Sequence, residues 1–307
     1  MLILFLFGFF TLLFIYGMYL LRKGLFLLSG ENLKAILIKF THTPIHAFIT
    51  GIILTILLQS SSAVMVITIG LIATKLLTFE RSIGIILGTN IGTTLTTEII
   101  TFDIQAFIPY LAITGVLLYL LTKKKWKYFG LILFGLATLF TAMGGFDYLA
   151  TPIKQYDIMN QLLSKMNESN LFSIFVGTAI TSIIQSSSAT IGMAMSFLTN
   201  DTLQLQGGIG VMFGANIGTC VTALLACFGA TKEARMCAYA HVWLNILGVA
   251  LFFPLIPYLA SIGTMLASSV DTQLAHITVI FNVLCSLIVL PFVKPFSQFI
   301  LKTHRYL

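Results

Sequence analysis

Gln59-Ser60-Ser61-Ser62-Ala63 recurs as Gln185-Ser186-Ser187-Ser188-Ala189, each copy set in the middle of an apolar stretch. The offset is 185 − 59 = 126 residues. The same shift, with no gap, lays Gly88-Thr89-Asn90-Ile91-Gly92-Thr93 on Gly214-Ala215-Asn216-Ile217-Gly218-Thr219. Gly51 falls on Gly177, Thr55 on Thr181, Gly84 on Gly210 and Thr96 on Thr222. Two motifs in one register point to an internal duplication. The apolar run near 2–21 falls on 128–146, so the repeats lie at 1–126 and 127–258. Residues 259–307 then hold an extra C-terminal transmembrane helix and a cytoplasmic tail.

Composition sets the solvent. Of 307 residues 58% are hydrophobic and 9% charged, with a mean hydropathy of +1.00. Soluble domains carry roughly 25% charged residues, so this chain cannot cover a water-facing surface and lipid must surround it. The net charge of +7 does not imply nucleic acid, because the basic residues sit in short clusters between apolar runs. Cys220, Cys227, Cys237 and Cys285 have no metal-type spacing and read as packing residues. Arg22-Lys23 follows the first apolar run instead of preceding it, which argues for a retained helix over a secretory signal.

Seven stretches are long enough to cross ~30 Å of hydrocarbon: 2–21, 82–100, 105–122, 128–146, 207–228, 237–258 and 274–293. The apolar segments 46–74 and 172–200 are each broken by Gln-Ser-Ser-Ser. Such a break at membrane depth is tolerated only in protein or against a wet cavity, so both are expected to be re-entrant hairpins. Residues 31–40 read as an interfacial amphipathic helix and 147–170 as the longest polar loop. With Arg22-Lys23 inside and each hairpin returning to its own side, fifteen of the 17 lysines and arginines fall inside, leaving Lys154 and Lys165 outside. That satisfies the positive-inside rule. The first hairpin then enters from the cytoplasm and the second from outside, an inverted repeat of the kind secondary transporters use. The expectation is an all-α polytopic protein of a cell (plasma or inner) membrane, with its N-terminus outside and its C-terminus cytoplasmic.

Soluble-enzyme signatures are absent: there is no nucleotide loop, no His-Glu-x-x-His and no Gly-x-Ser-x-Gly elbow. An enzyme is not expected, nor a covalently bound cofactor. What lies at membrane depth is neutral and polar. A broken helix offers N–H groups and a positive end to an anion, and freed carbonyls to a hard cation such as sodium. No Arg or Lys lies in these motifs, and an unpaired charge in low dielectric is costly. Co-bound cations should therefore neutralise an anion. Small residues also let membrane helices pack closely; for an isolated Gly or Ser that plain reading wins, but not for two copies in register.

Taken together, the two Gln-Ser-Ser-Ser-Ala copies, each followed by Gly-x-Asn-Ile-Gly-Thr, resemble the type II sodium–phosphate cotransporter family, in particular its short bacterial members. The resemblance covers nearly the whole chain. It implies that the hairpins meet near the bilayer midplane and form the phosphate and sodium sites. By position this implicates Gln59, Ser60, Ser61, Ser62, Gln185, Ser186, Ser187 and Ser188, with Asn90, Thr93, Asn216 and Thr219 as supports or ligands. Sodium is expected at the same tips, its individual ligands open. The family's Ala-His-x-x-x-Asn helix is matched by Ala240-His241 with Asn245, more loosely by Ala275-His276 with Asn282. His241 and Asn245 share a helix face and fit structural polar contacts better than ligands. The implied function is sodium-coupled phosphate transport by alternating access. Rivals are another small anion (sulfate, arsenate or a carboxylate) and a non-transporting scaffold or sensor. The sequence leaves the oligomeric state open, a homodimer included.

Overall fold

The computed structural model describes residues 2–29 and 33–305, and their regular secondary structure is all helical. In chain order the helices are α1 (Leu2–Ser29), α2 (Leu33–Phe40), α3 (Pro44–Leu58), α4 (Ser61–Ala73), α5 (Phe79–Ile100), α6 (Ile108–Leu120), α7 (Lys124–Ala150), α8 (Asp157–Glu168), α9 (Asn170–Ile184), α10 (Ser187–Thr199), α11 (Leu205–Ala226), α12 (Lys232–Phe252), α13 (Ile256–Leu266), α14 (Val270–Val289) and α15 (Val293–Thr303).

Among the described residues six helical runs are long and apolar enough to span a membrane: α1, α5, α7, α11, α12 continued into α13, and α14 continued into α15. The run expected at 105–122 is a shorter helix over Gln105–Leu120. At ~1.5 Å per residue it ends several ångströms short of a ~30 Å core. The segment read as a polar loop at 147–170 is instead the end of α7 and the amphipathic α8, which buries Leu163 and Met166. Glu31 and Asn32 of the expected interfacial helix lie outside the described residues; α2 accounts for the rest.

The 126-residue register reappears in the backbone. Shifted by it, α3, α4 and α5 coincide end to end with α9, α10 and α11. The N-caps match as well: Thr43 caps α3 as Ser169 caps α9, and Ser60 caps α4 as Ser186 caps α10. The left-handed residues also pair, Gln59 (φ 49°) with Gln185 (φ 58°) and Lys75 (φ 61°) with Asp201 (φ 51°).

Close glycine contacts fix the directions. A Cβ on Gly84 would meet the Pro44 carbonyl at 2.5 Å, and one on Gly88 the Phe48 carbonyl at 2.1 Å. The spacing between partners stays constant, so α5 runs parallel to α3 and starts more than a turn before it. Between them, α4 must carry the chain back, which makes α3–α4 a re-entrant hairpin. Gly210 against Ser173 and Gly214 against the Ile174 carbonyl (2.1 Å) repeat this for α9 and α11. By contrast Gly17 meets Leu139 and Gly24 meets Ile132, so α1 and α7 are antiparallel. Because α7 is the repeat of α1, the two copies are inverted.

Candidate functional site

Each hairpin tip is built in the same way. The Gln59 and Gln185 residues end α3 and α9 in the left-handed conformation, which stops the helix and reverses the chain. Each Gln spends both side-chain groups locally. Gln59 Nε2 donates to the Ile56 carbonyl (2.9 Å), and its Oε1 accepts from Thr96 of α5 (2.7 Å). Gln185 does the same with the Ser182 carbonyl and Thr222 of α11. Ser60 and Ser186 are occupied as N-caps, accepting from Ala63 N–H (3.1 Å) and Ala189 N–H (3.3 Å). The Gln therefore rivets its tip to the parallel spanning helix, and the first Ser starts the return helix.

The next residues, Ser61 and Ser187, begin α4 and α10 and face one cavity of about 20 Å³. Around it stand Asn90, Thr93, Thr94 and Thr97 of α5, Asn216 and Thr219 of α11, and Thr278 and Asn282 of α14. Of the twelve residues singled out from the sequence, six line it: Ser61, Asn90, Thr93, Ser187, Asn216 and Thr219. Gln59, Ser60, Ser62, Gln185, Ser186 and Ser188 do not.

The hydrogen bonds sort the lining into two kinds. Ser61 and Ser187 hydroxyls bond to no other described residue and sit at helix N-termini, where first-turn N–H groups have no helical acceptor. The threonines are different: Thr93 donates to the Thr89 carbonyl, Thr94 to Ile91, Thr97 to Thr94, Thr219 to Ala215 and Thr278 to Leu274. Their protons are used, so what they turn to the cavity is acceptor oxygen. The amides spend one N–H in the same way, Asn216 Nδ2 on the Met212 carbonyl and Asn282 Nδ2 on the Thr278 carbonyl, and each keeps its Oδ1 as an acceptor. One cavity thus holds free donors for an anion and oxygen ligands for a hard cation. Replacing Thr96 with Val should leave Gln59 Oε1 unsatisfied and cost about 1–3 kcal/mol. A lowered Tm in detergent, matched by Thr222→Val in the other half, checks it.

Three features did not come forward from the sequence. Thr278 and Asn282 come from α14, outside the repeated elements, and only the loose Ala-His…Asn echo hinted at them. Thr94 and Thr97 follow Asn90 and Thr93 at helical spacing, a signal that could have included them. Arg22 donates its Nε–H to the Gln59 main-chain carbonyl (2.8 Å). It lies outside the motif yet places a positive charge behind the first tip. Its repeat mate is the exposed Tyr148, so the second tip lacks one. His241 and Asn245 are buried; Asn245 bonds Asn90 (3.2 Å), Cys220 and the His241 carbonyl, tying α12 to α5 and α11. No group of three or more His, Cys, Asp or Glu among the described residues is placed to hold a metal.

Known proteins share this sequence pattern. The chain is 38% identical over 300 residues to "Uncharacterized protein YqeW" of Bacillus subtilis, covering 98% of each chain. It is 25% identical over 288 residues to "Putative inorganic phosphate export protein YjbB" of Escherichia coli, covering 94% of this chain and 53% of that one. An 88-residue stretch is 32% identical to "Sodium-dependent phosphate transport protein 2A" of Oryctolagus cuniculus, 27% of this chain and 14% of the relative. No solved structure matches. The family model described as Na+/Pi-cotransporter matches residues 13–148 and again 153–286. The chain belongs to that family and is a multi-pass membrane protein.

Proposed function

We propose that this protein is a sodium-coupled transporter of inorganic phosphate, not an enzyme, with its substrate held between Ser61 and Ser187. The observation that carries the reading is the mixed cavity at the two tips. Hydroxyls and helix N-termini there suit a phosphate anion, while threonine and asparagine oxygens suit sodium. Family membership and the phosphate named in the relatives support the choice of anion. Co-bound sodium offsets the anion's charge in low dielectric, and Arg22 behind the first tip assists.

A cavity of about 20 Å³ has room for roughly one water. Phosphate has five heavy atoms, so the tips must part to admit it. The inverted hairpins supply two opposite routes for that parting, the geometry of alternating access. The hairpin entering from the charge-rich side would open to the cytoplasm and the other to the outside.

Equilibrium binding of radiolabelled phosphate to the purified protein tests the reading. Binding is expected in sodium buffer, to be lost in choline buffer, and to resist competition by sulfate. Equal displacement by sulfate or a small carboxylate would reassign the anion.

A further inference from the structure

Three helices that line the hairpin cavity continue into a second one. Thr97 of α5, Ile191 of α10 and Thr278 of α14 face the first. One or two turns further along the same helices, Thr101, Ser196 and Asp271 face the second, and Asp147 of α7 closes it. This cavity is about 130 Å³ and is lined by three carboxylates, those of Asp103, Asp147 and Asp271, with no Lys, Arg or His. The only ion pair among the described residues is His276 with Glu98, so none of the three has a cationic partner.

Besides the carboxylates, one hydroxyl points to a ligand. Ser196 is 2% exposed and its Oγ has no partner in good hydrogen-bonding geometry, while the Asp147 carboxylate lies close enough to interact with both it and Thr199. Leaving a buried polar group unmet is costly, unless something fills the place. The Thr199 proton goes to the Met195 and Ser196 carbonyls (3.2 and 3.1 Å) and the Thr101 proton to the Glu98 carbonyl (2.8 Å). Those oxygens can only accept. A carboxylate beside acceptor oxygens, without a cage of three metal-type side chains, matches a hard monovalent cation better than a divalent or transition metal.

We propose that this second cavity binds a sodium ion between Asp147 on α7 and Ser196 and Thr199 on α10, separate from any sodium at the hairpin tips. The choice of sodium over another hard monovalent cation rests on the coupling proposed above. The bound ion offsets the negative charge that would repel an anion approaching along α5, α10 and α14. It also joins the return helix of the second hairpin to a helix outside it.

Sodium-22 binding to the full chain in lipid nanodiscs, in phosphate-free choline-balanced buffer, tests this. Asp147→Asn should bind one sodium fewer than the parent protein, and the same loss should appear on top of Ser61→Ala with Ser187→Ala. Unchanged sodium binding in Asp147→Asn overturns the proposal. Should that variant fail to fold, Ser196→Ala and Thr199→Val serve instead: at least a several-fold weaker sodium affinity supports the site, and parent-like affinity overturns it. Phosphate binding that ignores sodium, alongside an Asp147-dependent sodium site, would sink the coupling and leave this site standing.

Discussion

Ser61→Ala and Ser187→Ala together should abolish measurable phosphate transport while the protein still folds. Each hydroxyl lies in the shared cavity with no competing protein partner, so each is free to bond the anion. A hydrogen bond to a charged group contributes about 1.5–3 kcal/mol, or roughly 10–100-fold in affinity per serine. If the two act independently, the double variant should lose about 10²–10⁴-fold. Folding should survive because neither hydroxyl caps a helix; that role belongs to Ser60 and Ser186. Ser60→Ala should therefore lower Tm, where Ser61→Ala lowers phosphate affinity. Transport by the double variant within a few-fold of the parent would remove both serines from the site.

The second large effect is structural. Gly88→Val and Gly214→Val should prevent folding, each from the equivalent place in its half. A Cβ at either would stand 2.1 Å from a carbonyl oxygen of the parallel helix, Phe48 in one half and Ile174 in the other. Backbone cannot yield there without separating the helix that carries the Gln from the helix that carries its Thr. Overpacking commonly costs about 1–3 kcal/mol, and more where backbone must move. Gly70→Ala and Gly144→Ala meet nothing within 4 Å and should leave Tm almost unchanged. Monodisperse yield and thermal unfolding in detergent separate the two pairs; normal folding of Gly88→Val would contradict the parallel packing.

Much of this architecture could be read from the residues alone, because the repeat is written twice in one register. Gln-Ser-Ser-Ser in an apolar run marks a place where a helix has to break in lipid, and α3–α4 and α9–α10 break there at Gln59 and Gln185. Hydropathy was enough for the long helices. It failed at α8, where a polar composition hid a helix whose Leu163 and Met166 find a buried partner, a pairing that only tertiary packing reveals. At the candidate site, sequence brought forward segments that meet at one cavity but not the division of labour within them. Nothing in Gln-Ser-Ser-Ser says that the Gln is consumed as a rivet, the first Ser as a cap, and only the second Ser faces the cavity. That depends on the left-handed turn and on a threonine 37 residues away. Arg22, also 37 residues from its acceptor, and the α14 side chains are invisible for the same reason: long-range approach leaves no local signature.

Sodium coupling is the center of the account, and phosphate flux into proteoliposomes tests it most directly. With the purified chain reconstituted, an inward sodium gradient should drive phosphate accumulation well above that with choline in its place, and the Ser61→Ala, Ser187→Ala variant should show none. Phosphate flux of equal size with and without the sodium gradient would contradict it.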